Sequence, residues 1–174
     1  MRKRSAIIFS CRLLLMGGLL GSAGCVQDHS GPKILPMGER AEVGSLIYTV
    51  LESEWFGQLG QGDTAQKPRD RFVLIRMNIT NSGTVVAEVP PMTLVGSGGR
   101  TYPEVRSGEG VPDWLGMLRK VDPAETIQGR VVFDAPRADY QLRVTDDAFD
   151  PEDVKVALIQ IPLRFESGTS TLPK

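Results

Sequence analysis

The sequence predicts an all-β fold, either a sandwich or a barrel, with about seven to nine short strands. Apolar residues alternate with a period of two in several short runs, and clusters of Gly, Pro and Asn separate these runs. Helical periodicity is almost absent, so a parallel α/β fold with crossover helices is excluded. The 174 residues, 41% of them hydrophobic, suffice for one domain with a buried core.

The strongest predicted strand spans residues 71–80. Val73, Ile75, Met77 and Ile79 share one parity, and the opposite parity holds mainly polar side chains. This alternation is typical of a strand with one buried face and one largely wet face. Further strands are predicted at 45–51, 85–89, 92–95, 100–102, 129–135, 140–145 and 154–165.

Residues 111–120 are the only predicted helix, of one or two turns. Asp113 could cap it, and Trp114, Met117 and Leu118 would share a face. An apolar face of this size is more typical of a lid over a core than of a partner-binding helix. Gly116 limits the expected length of the helix.

The first 24 residues have the pattern of an export signal. A basic leader (Arg2 to Arg4) precedes the apolar run Leu13 to Leu20, and Ser22-Ala23-Gly24 ends in Cys25. Only twelve uncharged residues lie between positions 13 and 24, too few for a membrane-spanning helix. Cys25 is the only cysteine after the signal, so we expect no intrachain disulfide.

Ala23-Gly24-Cys25 resembles the end of a bacterial lipoprotein signal, the lipobox. The resemblance implies cleavage before Cys25 and attachment of acyl chains such as palmitate to this residue. Ser22 departs from the leucine usual at that position, and the same small residues also suit an ordinary secretory signal. By the rule of that family, Val26 implies sorting to the outer membrane, if the cell has one.

The predicted organisation is therefore a signal peptide (1–24), a flexible tether (25–40), a β domain (41–166) and a disordered tail (167–174). The tether is polar and interrupted by Gly and Pro, and the tail has no apolar period. The expected location is the cell envelope, with the membrane as a partner through the lipid on Cys25.

Several stretches resemble one family, an uncharacterised group of bacterial lipoproteins with an immunoglobulin-like domain, related in fold to the mycobacterial immunoprotective secreted antigen. The matching stretches are 44–50, 72–81, 94–102 and 129–136. The resemblance implies an immunoglobulin-like antiparallel β-sandwich. It implies no activity, because the matching residues are turn glycines and core aromatics.

Composition argues against several functions. The chain has 20 Lys and Arg against 21 Asp and Glu, and four of the basic residues lie in the signal, so the exported part is acidic. A nucleic-acid partner is therefore not expected. The only histidine, His29, lies in the predicted tether, which leaves no Ser-His or Cys-His catalytic arrangement in the domain. No cofactor is predicted.

We interpret the chain as a non-enzymatic envelope protein that binds another protein or an envelope component. The candidate binding aromatics are Trp55, Phe56, Tyr102 and Trp114, although Trp55 and Phe56 could instead close the end of the core. A weak calcium candidate is the acidic turn Asp146, Asp147, Asp150, Glu152 and Asp153, which matches no calcium-loop signature. The alternatives are a carboxylate-based hydrolase, for example with Glu104 and Glu109, and a surface antigen without a specific ligand.

Overall fold

The computed structural model describes residues 31–62 and 65–163, and these contain strands and turns but no α-helix. The 3-10 turn Ser97–Gly99 connects two strands. The strands are β1 (Lys33–Leu35), β2 (Arg40–Val43), β3 (Leu46–Phe56), β4 (Phe72–Asn81), β5 (Ala87–Val89), β6 (Thr93–Gly96), β7 (Thr101–Pro103), β8 (Arg119–Val121), β9 (Thr126–Asp134), β10 (Tyr140–Thr145) and β11 (Val156–Ile161). The predicted signal peptide, Cys25 and the predicted tail lie outside the described residues.

Two larger sheets and a small two-stranded sheet, the β5–β8 sheet, make up the fold. The first sheet has the order β1-β11-β10-β6-β7, the second has the order β2-β3-β4-β9, and β5 pairs with β8 alone. All neighbours are antiparallel except β1 and β11, which are parallel. The predicted all-β sandwich is thus confirmed. The described residues contain eleven strands rather than seven to nine, because several of them are only three residues long.

The main core lies between the two larger sheets. The second sheet contributes the apolar parity of β4 (Val73, Ile75, Met77 and Ile79) together with residues of β3, and the first sheet contributes Leu94, Leu142 and Ile159. These side chains alternate along their strands, so period-two patterning places one face of each sheet in the core.

A second apolar cluster covers the outer face of the second sheet. Phe72 and Leu74 of β4 pack there against Leu59, Val111 and Val132. The outer parity of β4 is therefore buried at the beginning of the strand, where the sequence predicts a wet face. Leu59 and the loop 104–118 supply the cover, and their position over β4 is a tertiary feature.

The predicted helix at 111–120 is wrong. Residues 111–118 form turns in which Asp113 (φ 54°) and Gly116 (φ 71°) have left-handed backbone angles, and β8 begins at Arg119. The backbone bonds of this segment go to β9 instead: Arg130 N donates to Asp113 O at 2.8 Å, and Leu115 N donates to Arg130 O at 3.0 Å. Pairing with a neighbouring strand thus replaces the local bonds of a helix.

The sheet also begins before the predicted domain boundary at residue 41. β1 lies within the segment expected to be a tether, and its Leu35 is buried in the main core. Strand β1 adds to β11 through parallel pairing from Lys33 with Ala157 to Leu35 with Ile159. Three residues are too short to show a period, so the strand has no clear sequence signal.

Candidate functional site

Two of the predicted binding aromatics lie on either side of Tyr140. The ring centroids of Trp55 and Tyr140 are 6.2 Å apart, and Tyr102 meets Tyr140 edge to face at 5.5 Å. Trp55 and Tyr102 are partly buried against the main core. This geometry is typical of aromatic packing, and it holds both side chains in place.

The phenol of Tyr140 is itself engaged in the fold. Its hydroxyl donates to Pro136 O at 2.7 Å, and burial, aided by the nearby Tyr102, raises the pKa of Tyr140 to about 12. Tyr140 also lines an open groove of about 550 Å³ together with Ser97, Asp139 and Gln160. Tyr140 thus forms part of the wall of this groove.

Phe56 and Trp114 lie elsewhere, in the cluster on the outer face of the second sheet. Phe56 is buried, and Trp114 packs over Gly108 so closely that a Cβ at that glycine would lie 2.2 Å from the indole ring. Both side chains therefore help to cover β4. The four predicted aromatics do not form one binding surface.

A larger groove, of about 840 Å³, opens between the β5–β8 sheet and the turn that follows β10. Val86, Pro90, Leu118 and Val154 supply apolar wall, and Asp146 and Asp147 supply acidic wall. Volumes of this size are usual for ligand sites, and the combination of apolar surface with a few charges is typical of them.

A buried ion pair lies beneath the β5–β8 sheet. Arg119 Nη2 donates to Glu104 Oε2 at 2.5 Å, and both side chains are 1% exposed. The other carboxylate oxygen of Glu104 accepts from Met92 N at 2.5 Å. Burial raises the pKa of Glu104 and outweighs the opposing effects of Arg119 and of the Met92 amide.

Two further features surround this pair. Nε and Nη1 of Arg119 are buried without a hydrogen-bond partner among the described residues. Tyr48, which is fully buried, donates its hydroxyl to Thr145 O at 2.7 Å, and burial raises the pKa of this tyrosine. The polar groups therefore hold the β5–β8 sheet and the end of β10 to the core.

The acidic turn uses its carboxylates for local backbone bonds. Asp146 is buried and accepts from Lys155 N at 3.0 Å, and Asp150 accepts from Glu152 N at 3.0 Å. In the part of the chain that the structure describes, no three Asp, Glu, His or Cys side chains are grouped closely enough to hold a metal ion. The calcium interpretation of Asp146, Asp147, Asp150, Glu152 and Asp153 thus has no geometric support.

The hydrogen bonds of Glu104 also argue against the hydrolase alternative. Glu104 is enclosed and holds two hydrogen bonds, whereas Glu109 is exposed. A glycosidase acid must reach the scissile bond, and an enclosed, ion-paired glutamate cannot. The pair Glu104 and Glu109 is therefore not a catalytic pair in this fold.

The ion pair and the larger groove were not predicted from the sequence. In β8 the parity that points inward contains Arg119 and Val121, and a charged residue in this position would normally be assigned to the surface. The consecutive apolar residues Val85 and Val86, at the entry to a three-residue strand, were the one available signal of exposed apolar surface.

No helical segment within 31–62 or 65–163 has the length and apolar character needed to cross a membrane. No curated protein matches the sequence.

Comparison with solved structures shows the fold. The yjhA protein from Bacillus subtilis matches with a TM-score of 0.58 and 15% identity, over 73% of this chain and 99% of that chain. The "putative lipoprotein" ycdA from Bacillus subtilis subsp. subtilis str. 168 matches with a TM-score of 0.53 and 11% identity, over 71% of this chain and 38% of that chain. MPT63, a secreted protein from Mycobacterium tuberculosis, has a TM-score of 0.49 and 12% identity, over 76% of this chain and 98% of that chain.

The family itself is identified at the level of sequence. The family model described as a domain of unknown function, DUF4352, matches residues 35–154, which include the strands from the end of β1 to the acidic turn. The matched range covers most of the two larger sheets and the β5–β8 sheet. The chain therefore belongs to the DUF4352 family, a family of domains of unknown function.

Proposed function

We propose that this chain is an exported envelope protein, anchored by acyl chains on Cys25, whose β-sandwich is a non-catalytic binding module. The observation that carries the proposal is the segment from Leu13 to Cys25, an apolar run that ends in small residues and a lone cysteine. The fold likeness to ycdA, itself described as a "putative lipoprotein", agrees with export and anchoring.

Lipid anchoring has a clear energetic basis. One acyl chain gives only marginal membrane binding, and each buried methylene adds about 0.8 kcal/mol, so two or three chains hold a protein firmly at the surface. The described domain begins only a few residues after Cys25, since β1 starts at Lys33. The module would therefore act close to the membrane surface.

The binding role is supported by the surface of the sandwich. The two grooves described above lie on the first sheet or beside it, and the larger one combines apolar and acidic walls. Loops at the ends of sandwiches are where such folds commonly place recognition.

The anchor is tested by mass spectrometry of the mature protein from bacterial cells that express the full chain. We expect the mature protein to begin at Cys25, to carry a diacylglyceryl group on this residue and to partition into the detergent phase. Cys25→Ser should abolish the acylation and the partitioning, and Cys11→Ser, in the signal, should leave them unchanged. A mature chain with an unmodified Cys25 would refute the anchor.

The binding role is tested separately by affinity capture. The full chain, solubilised in mild detergent, should retain a specific envelope component that a lipoprotein of unrelated fold does not retain. Recovery of the same background from both baits would contradict the binding role while leaving the anchor intact.

A further inference from the structure

The exposed apolar side chains gather around one groove. Among the described residues, five large hydrophobic side chains are exposed: Ile34, Val85, Val86, Leu118 and Phe149. Val86 and Leu118 line the larger groove, Val85 adjoins Val86, and Phe149 follows the lining residue Ala148. Leu118 is 98% exposed, and Phe149 is fully exposed. Exposed apolar surface concentrated in one place commonly marks an interaction site.

The uncompensated charge of the same groove is negative. Five charged residues line it: Glu88, Arg119, Lys120, Asp146 and Asp147. The two cations are already paired, because Arg119 binds the buried Glu104 and Lys120 Nζ lies 3.1 Å from Glu88 Oε1. The two aspartates are bonded only to backbone amides, at Lys155 and Glu88. Asp146 and Asp147 therefore have no cationic partner among these lining residues.

We propose that this groove binds a partner polypeptide segment that carries apolar side chains and at least one Lys or Arg. The apolar side chains would cover Val86 and Leu118, and the basic side chain would face Asp147. The proposal rests on the binding role proposed above, and it adds the surface and the chemistry of the partner. A groove of about 840 Å³ has room for several side chains of such a segment.

Charge favours this occupant over the two others. The acidic wall would repel the anionic headgroups of a membrane. Two copies of this chain placed groove to groove would bring Asp146 and Asp147 against the same carboxylates of the second copy, and like charges in contact disfavour association.

The test is photo-crosslinking of the full chain in the bacterial cells that produce it. A photoreactive benzoylphenylalanine replaces Leu118, which is exposed enough to be changed without loss of folding. The same replacement at Ile34, on β1 and outside the groove, is the control for surface position. A third replacement, at Tyr102, reports on the aromatic wall. Crosslinked peptides are identified by mass spectrometry.

We expect an adduct at position 118 with a polypeptide segment that contains apolar residues and a Lys or Arg. Asp147→Asn, which keeps an oxygen acceptor for the Glu88 amide, should lower its yield roughly twofold to fivefold, the effect of one exposed ion pair. Glu39→Gln, an exposed carboxylate outside the groove, should not change the yield.

Four results would overturn the proposal: an adduct with lipid, an adduct with a second copy, a partner segment without a basic residue, or a yield insensitive to Asp147→Asn. Adducts only at positions 34 or 102 would reject the groove and keep the binding role. The absence of adducts at all three positions would reject both.

Discussion

Replacement of Arg119 by methionine tests the energetics of the buried ion pair beneath the β5–β8 sheet. Arg119→Met keeps most of the apolar stem and removes the charge that faces Glu104. Both side chains are 1% exposed, so water cannot replace the lost partner without rearrangement. Glu104 must then either remain as an unpaired buried carboxylate or take up a proton.

The size of the loss follows from the proton. Protonation at pH 7 of a carboxyl group with an ordinary pKa near 4.3 costs about 4 kcal/mol, at ~1.36 kcal/mol per pH unit. This value is an upper limit for the loss through Glu104, because the side chain takes up a proton once the charged form costs more. It agrees with the range of about 3–5 kcal/mol for removal of one partner of a buried pair. The melting temperature should fall by about 10 °C for a domain of this size.

The companion variant Glu104→Gln should also destabilise the domain, because it leaves Arg119 as a buried cation without its carboxylate. Burial raises the pKa of Glu104, so the folded state disfavours ionisation of this carboxyl group more than the unfolded chain does. The glutamine oxygen can still accept from Met92 N. In the Glu104→Gln background, Arg119→Met should cost only about 1 kcal/mol, the value of a hydrogen bond.

The effect depends on pH with a definite sign. Since the pKa of Glu104 is raised on folding, its contribution to stability is full below the ordinary pKa and is lost as the pH rises through the raised value. Arg119 lowers the pKa of Glu104, so the removal of Arg119 raises this pKa further. The difference in unfolding free energy between wild type and Arg119→Met should therefore shrink as the pH falls from 7 to about 4.

The assay is guanidinium unfolding followed by tryptophan fluorescence, at both pH values, for the wild type, both single variants and the double variant. Lys120→Met is the matched control: Lys120 is the next residue and forms an exposed ion pair with Glu88, worth less than about 1 kcal/mol. A loss in Arg119→Met that is the same at both pH values, or that Glu104→Gln does not relieve, would refute the reasoning.

Three other predictions concern the fold. Gly129→Ala should destabilise the domain by about 1–3 kcal/mol in denaturant unfolding, because a Cβ there would lie 2.4 Å from Asp113 O. The control Gly57→Ala, whose Cβ would make ordinary contacts only, should change the unfolding free energy by less than about 0.5 kcal/mol. Tyr140→Phe should remove one phenol that ionises at about pH 12, which an ultraviolet absorbance titration measures against the wild type. Asn81→Ala should cost about 3 kcal/mol in the same unfolding assay, since its buried amide bonds three backbone groups at 2.7–2.9 Å; a loss below 1 kcal/mol would contradict this role.

The strands with long apolar alternation could be predicted from the sequence because their pattern is local. The run at 71–80 corresponds to β4, Phe72–Asn81, and its predicted inner parity lies in the main core. The opposite parity could not be predicted fully. Phe72 and Leu74 are buried because a loop from 104 to 118 returns over them, and that return depends on distant pairing with β9.

The aromatic candidates show the same division. Trp55 and Tyr102 were identified by residue type, but their common neighbour Tyr140 brings them together only in the folded chain. Phe56 and Trp114 have the same residue types and lie in a different cluster. Residue type alone does not distinguish a binding aromatic from a covering one, because both are large and partly apolar.

The sequence by itself determined the all-β class and the family, since period-two patterning and turn residues are local properties of the chain. It also contains the segment ending at Cys25 on which the proposed anchor depends. Only the tertiary structure decided that Arg119 and Glu104 meet in the core, and that Val86, Leu118 and Asp147 border one groove. These residues come from separate loops and short strands, and their approach depends on sheet pairing over long sequence separations, which no local pattern specifies.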